Sequence, residues 1–124
     1  MNILIINESS LTMGDMREAL CLAGVDGNSI TMADNVPVAL ERIRQNPPDL
    51  VVAGWEMERI SGLKLLRTIK TQGYQVDFGF VAREATQEMR AKAAIGGAKF
   101  LISQPATPLE MSQILGPNLV KKAA

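Results

Sequence analysis

Five short runs with strand character, at 3–6, 29–33, 50–53, 78–82 and 100–103, alternate with longer segments whose apolar residues recur at helical spacing. The first, Ile3-Leu4-Ile5-Ile6, is apolar throughout and rich in β-branched residues, which marks a strand buried on both faces rather than one with a solvated side. Burial on two sides requires helices above and below the sheet, and strands joined through helices run parallel. The expected architecture is an α/β fold: a doubly wound five-stranded parallel sheet with helices on both faces.

Local punctuation supports this division. Ser9 or Ser10 can cap a first helix whose apolar positions are Leu11, Met16, Leu20 and Ala23, with Gly24 to end it. Asn35 caps a second helix carrying Val38, Ala39, Leu40 and Ile43, which Pro47-Pro48 stops. Leu63, Leu66 and Ile69 share one face of a third, ending near Gly73, and an Ala-rich fourth at 86–95 closes at Gly96-Gly97. Gly79 reads as a weak point in the fourth strand. Thr107-Pro108-Leu109-Glu110 is a capping box with proline at the first helical position, and the fifth helix is expected to break at Gly116-Pro117. Residues 1–116 then form one domain and 117–124 a C-terminal tail.

Composition narrows the function classes. The 124 residues suit one core, and 13 basic against 13 acidic residues leave a formal net charge of zero. Apart from Lys121-Lys122 the basic residues occur singly along the chain, so a nucleic-acid partner is not expected. The N-terminal apolar run is too short for a signal peptide or a membrane span, which points to a cytoplasmic protein with no membrane association. Cys21 stands alone among apolar neighbours and reads as a structural thiol; the chain has no histidine, so no transition-metal site is expected.

The segment Pro48-Asp49-Leu50-Val51-Val52-Ala53-Gly54-Trp55-Glu56-Met57, followed by Ser61-Gly62-Leu63, resembles the third-strand region of response-regulator receiver domains, the family of the chemotaxis response regulator. Further points of resemblance are Ile3 to Ser10 at the first strand and turn, Ala33-Asp34-Asn35 with Ala39-Leu40, and Gly97-Ala98 followed by Gln104-Pro105. The resemblance implies strand order 2-1-3-4-5 and a phosphorylation pocket at the carboxyl ends of the strands. In active members two acidic residues hold a divalent metal, an aspartate accepts the phosphoryl group, and a Thr or Ser and a Lys bind its oxygens. The matching positions here hold Asn7 and Glu8, Gly54, Ala82 and Gln104, and Leu101 stands where the family has a switch aromatic. Glycine supplies no nucleophile, and Glu8 is the one residual candidate metal ligand in a set too poor for Mg²⁺. The resemblance also implies a cis peptide at Gln104-Pro105.

The expected function is thus a non-catalytic pseudo-receiver: a signalling module without cofactor, acting through protein partners in a bacterial two-component-type pathway. Its expected interaction face is the fourth helix, fifth strand and fifth helix, presenting Arg90, Ala91, Ala94, Ile95 and Leu101 beside Lys92 and Lys99, with weak homodimerisation as a second use of that face. An alternative is a flavodoxin-like binder of FMN or another phosphate ligand, held by the turn Ser9-Ser10-Leu11-Thr12-Met13-Gly14 and stacked on Trp55. A third is an active receiver with Glu56 as surrogate acceptor. Glu58 reads as a solvated loop residue, and Asp49 belongs to the opposite end of the sheet.

Overall fold

A computed structural model describes residues 2–57, 60–104 and 107–123. The elements are β1 (Ile3–Ile6), α1 (Ser10–Leu22), a 3₁₀ turn (Gly27–Ser29), β2 (Ile30–Ala33), α2 (Val36–Gln45), β3 (Leu50–Gly54), α3 (Gly62–Thr71), β4 (Asp77–Ala82), α4 (Gln87–Gly96), β5 (Phe100–Ser103) and α5 (Pro108–Ala123). The strands form one parallel sheet in the order β2-β1-β3-β4-β5.

Alternation along each strand sorts the side chains into two cores. Leu4, Ile6, Val51, Ala53, Phe78, Phe80 and Leu101 face α2, α3 and α4, meeting Ala39, Ile43, Leu65, Leu66, Ile69 and Ala93. Ile3, Ile5, Val52, Val81 and Ile102 face the other way, onto Met13, Met16, Ala19 and Leu20 of α1 and Met111 and Leu115 of α5. Each such buried aliphatic side chain contributes about 1.5–3 kcal/mol, more than the roughly 1 kcal/mol of a helix cap, so packing fixes the fold and the caps fix where helices begin. The capping side chains are Ser9, Asn35, Ser61, Thr86 and Thr107, which accept from the backbone N–H of Thr12, Val38, Lys64, Met89 and Glu110 respectively. In a βα fold every one of these helix starts lies beyond a strand's carboxyl end, on the edge that carries the cleft described below.

Several expectations need correction. The second strand loses Ser29 to the 3₁₀ turn, and β4 begins one residue early, at Asp77. Cys21 is half-buried rather than fully enclosed. The last helix does not stop at Gly116-Pro117 but runs to Ala123. Proline removes a single intrahelical donor and crowds one carbonyl, which a helix can absorb by local bending when good helix formers such as Leu119, Lys121 and Lys122 follow. Gly79 is a packing requirement rather than a weakness: any Cβ at that position would overlap the Phe100 ring lying across β4.

Gly79→Ala should therefore destabilise the domain by about 1–3 kcal/mol, the usual cost of overpacking a well-filled site. Urea unfolding of a double-mutant cycle with Phe100→Leu checks this. A smaller side chain at 100 should relieve most of the Gly79→Ala penalty, giving a coupling of about 0.5 kcal/mol or more.

Candidate functional site

The parallel register aligns the strand ends: Ile6 pairs with Ala33 and Ala53, Gly54 with Val81, and Ala82 with Ser103. Hydrogen bonds carry the alignment one residue further. Asn7 N–H donates to the Ala33 carbonyl at 3.2 Å, Trp55 N–H to Val81 at 2.9 Å and Gln104 N–H to Ala82 at 2.8 Å. Asn7, Glu8, Gly54, Ala82 and Gln104 thus come together on one edge, around a cleft of about 720 Å³. This is where a doubly wound sheet places a ligand site.

Gly54 is buried at the floor of this cleft. A Cβ built there would lie 2.9 Å from Asn7 Nδ2 and 3.5 Å from the Glu56 carbonyl oxygen, so the Asn7 amide occupies the space beside it. The amide is held in place because its Oδ1 accepts from Ser9 N–H at 3.0 Å. Gln104 turns toward α1, where its Nε2 donates to Thr12 Oγ1 at 3.3 Å. Ala82 closes the end of β4 with a methyl group. Charge is confined to exposed side chains at the mouth: Glu8, Glu56 and Glu84, with Arg83 as the one cation among the described lining residues.

Trp55 lines the cleft, yet its ring is half-buried and meets Phe80 edge-on, with centroids 5.1 Å apart and planes at 84°. The start of α3 is pressed against the same floor. Gly62 N–H donates to the Trp55 carbonyl at 3.0 Å, and a Cβ on Gly62 would stand 2.5 Å from the Gly54 carbonyl oxygen and 2.6 Å from the Phe80 ring. Asp49 lies at the far end of β3, where its Oδ2 accepts from Asn2 N–H at 2.7 Å. Glu58 and Pro105, and with Pro105 the expected cis peptide, lie outside the described residues. Thr12, from the hydroxyl-rich turn, lines the cleft as well, and Arg83 and Glu84 join it without standing out in the sequence. For Arg83 the signal was its place immediately after Ala82.

A hard divalent cation needs several oxygen ligands, usually including two or more carboxylates. Asn7 Oδ1 is engaged by Ser9 N–H, Glu8 is exposed, and no group of three or more His, Cys, Asp or Glu side chains suited to a metal occurs among the described residues. The donor set does not fit Mg²⁺.

Residues 3–116 match the family model for the response regulator receiver domain. The chain belongs to that family. Solved structures agree on the fold of this receiver. A response regulator receiver domain protein from Clostridium thermocellum superposes with a TM-score of 0.80 at 20% identity, over 98% of this chain and 96% of that one. A CheY-like receiver domain protein from Methanospirillum hungatei gives 0.78 at 17% identity, over 98% and 95%. No helix among the described residues is long and apolar enough to cross a membrane.

The expected interaction face is altered in one respect. Leu101 is only 3% exposed and packs in the core under α4, while its carbonyl accepts from Arg90 Nη1 at 2.7 Å. It is removed from the face. On the face of β5 that α4 covers the Leu101 side chain is shielded from solvent, whereas Arg90, Ala91, Ala94 and Ile95 are exposed.

Gly54→Asp should destabilise this receiver by about 3 kcal/mol at neutral pH, the order of an uncompensated buried charge. Burial raises the new carboxyl above its unfolded value of about 3.9. The unfolded chain gives up its proton first, so the penalty is small below about pH 4, grows as pH rises and levels off above the folded-state pKa. Stability measured from pH 3.5 to 8 for Gly54→Asp, and for its combination with Gln104→Lys, checks both the sign and the expected recovery by a cation.

Proposed function

We propose that this receiver is a pseudo-receiver, a non-catalytic and cytoplasmic protein–protein interaction module in a bacterial two-component-type pathway that is not phosphorylated at the usual position. The observation that carries this reading is the buried Gly54 with the Asn7 amide packed beside it. Phosphoryl transfer needs an in-line nucleophile, and the chain offers none at that point. It also needs charge neutralisation of the transferred group. Gln104 and Ala82 supply neither cation nor hydroxyl, and the Gln104 amide is engaged by Thr12.

The other readings draw less support. Among the described lining residues an FMN phosphate would meet Glu8, Glu56 and Glu84 against Arg83 alone, and the half-buried Trp55 ring already packs edge-on with Phe80. Glu56 is exposed at the mouth, and the described lining residues include no lysine to assist transfer. With the phosphate relay gone, output depends on the exposed part of α4, where Arg90, Ala91, Ala94 and Ile95 are available to a partner or, more weakly, to a second copy.

Incubation with acetyl phosphate and Mg²⁺ tests the proposal, with intact mass and Trp55 fluorescence as readouts and beryllofluoride as a parallel probe. Neither mass nor fluorescence should change. A covalent phosphoryl adduct on the wild-type chain would overturn the reading, and its loss in Glu56→Gln would assign the acceptor. Saturable quenching of FMN fluorescence on titration would favour the flavodoxin-like alternative instead.

A further inference from the structure

Three cationic side chains that stand apart in the sequence, Arg67, Lys70 and Lys92, border the seam between α3 and α4. The phase of α4 follows from its contacts: Ala93 is buried and Met89 half-buried, while Arg90 lies on the β5 flank because it reaches the Leu101 carbonyl. At about 100° per residue, Ile95 stands roughly 140° round the helix from Arg90, on the outward flank that turns toward α3, with Ala91 and Lys92 beside it. Ile95 is 87% exposed, the most exposed large apolar side chain among the described residues.

The facing flank of α3 is equally defined. Lys70 Nζ donates to the Gly96 carbonyl at 3.0 Å, and a Cβ on Gly96 would lie 3.3 Å from Leu63 Cδ2. Leu63 and Lys70 therefore border α4, and Arg67, four residues after one and three before the other, shares their flank and is exposed. The seam has Leu63 and Gly96 at its floor, Arg67, Lys70 and Lys92 around it, and Ile95 on the outer rim of α4 above it. One carboxylate adjoins it, Glu88, paired with Lys92 at 3.3 Å on the exposed surface.

We propose that this seam docks an acidic amphipathic helical segment of a partner protein, its apolar side chain seated against Ile95 and Leu63 and its carboxylates directed to Arg67 and Lys70. The inference rests on the interaction-module reading above and specifies the partner's chemistry. Charge complementarity selects the occupant. A nucleic acid needs a stripe of cations that tracks successive phosphates, whereas here the cations surround an apolar residue and one of them is already paired with Glu88. A membrane surface would use the cations but has little apolar area to insert besides Ile95. A helix laid along two neighbouring helices uses both features, with anchors at i and i+3 or i+4.

The test is an NMR titration of the ¹⁵N-labelled full chain with a synthetic helical peptide carrying leucines at i, i+3 and i+7 flanked by glutamates. Parallel arms use the same peptide with lysine for glutamate, phosphatidylserine-containing vesicles and a duplex DNA. The acidic peptide should shift the amides of Arg67, Lys70, Lys92 and Ile95, with affinity falling several-fold as salt is raised. Ile95→Ser and Arg67→Glu, both at exposed positions and each checked for native circular dichroism, should weaken it tenfold or more. Lys70 is left intact because it caps α4. Absence of binding, shifts centred elsewhere, equal binding of the lysine peptide, preference for vesicles or DNA, or unchanged affinity in both variants would overturn the proposal. Phosphorylation of the wild-type chain would remove the pseudo-receiver reading without moving this shift map, so the two failures are distinguishable.

Discussion

The parallel ladder through β1, β3 and β4 sets where every side chain of the cleft can stand. Because Ile6, Ala53 and Phe80 share one level of the sheet, Asn7, Gly54 and Ala82 just beyond them stand close together at its carboxyl edge. Gly62 tightens that edge, since α3 begins in contact with the Gly54 carbonyl and the Phe80 ring. Groups at this edge are coupled by position. A change in one alters the electrostatics of the rest, and the residues must be understood as a set.

Apart from the exposed Glu8, the set Asn7, Gly54, Ala82 and Gln104 is neutral. A buried carboxylate and its ammonium partner depend on each other, and removing one alone costs about 3–5 kcal/mol, while replacing both together can be neutral or stabilising. Gly54 with Gln104 satisfies that condition, and Asn7 adds an amide where a second carboxylate would sit. Both amides have hydrogen-bond partners in Ser9 and Thr12, and no buried side-chain polar atom lacks a partner among the described residues. A pocket that had lost one member by chance would leave an orphaned charge. In this pocket the Asn7 and Gln104 amides are each hydrogen-bonded instead.

Much of this was legible in the chain because strands buried on both faces have a distinctive pattern, and β5 at 100–103 and the caps at Asn35 and Thr107 fall where local rules put them. What escaped is what only packing decides. Gly79 resembles a strand breaker until the Phe100 ring is seen to need its space. Leu101 matches the position of the family's switch aromatic, but as a leucine under α4 it belongs to the core. Gly116-Pro117 reads as a stop because breaker rules are local, while a helix already several turns long tolerates one missing bond. Arg67, Lys70 and Lys92 read as scattered because sequence distance hides the α3–α4 seam that joins them.

Phosphoryl transfer at this edge should need the cleft residues together. Autophosphorylation from acetyl phosphate, followed by intact mass, tests it in Gly54→Asp alone and in the combination of Asn7→Asp, Gly54→Asp, Ala82→Thr and Gln104→Lys. The single variant should remain unmodified, because it lacks metal ligands and the cation that balances the transferred charge, and the fourfold variant should take up phosphate in the presence of Mg²⁺. Phosphorylation of Gly54→Asp as readily as the fourfold variant would contradict the account.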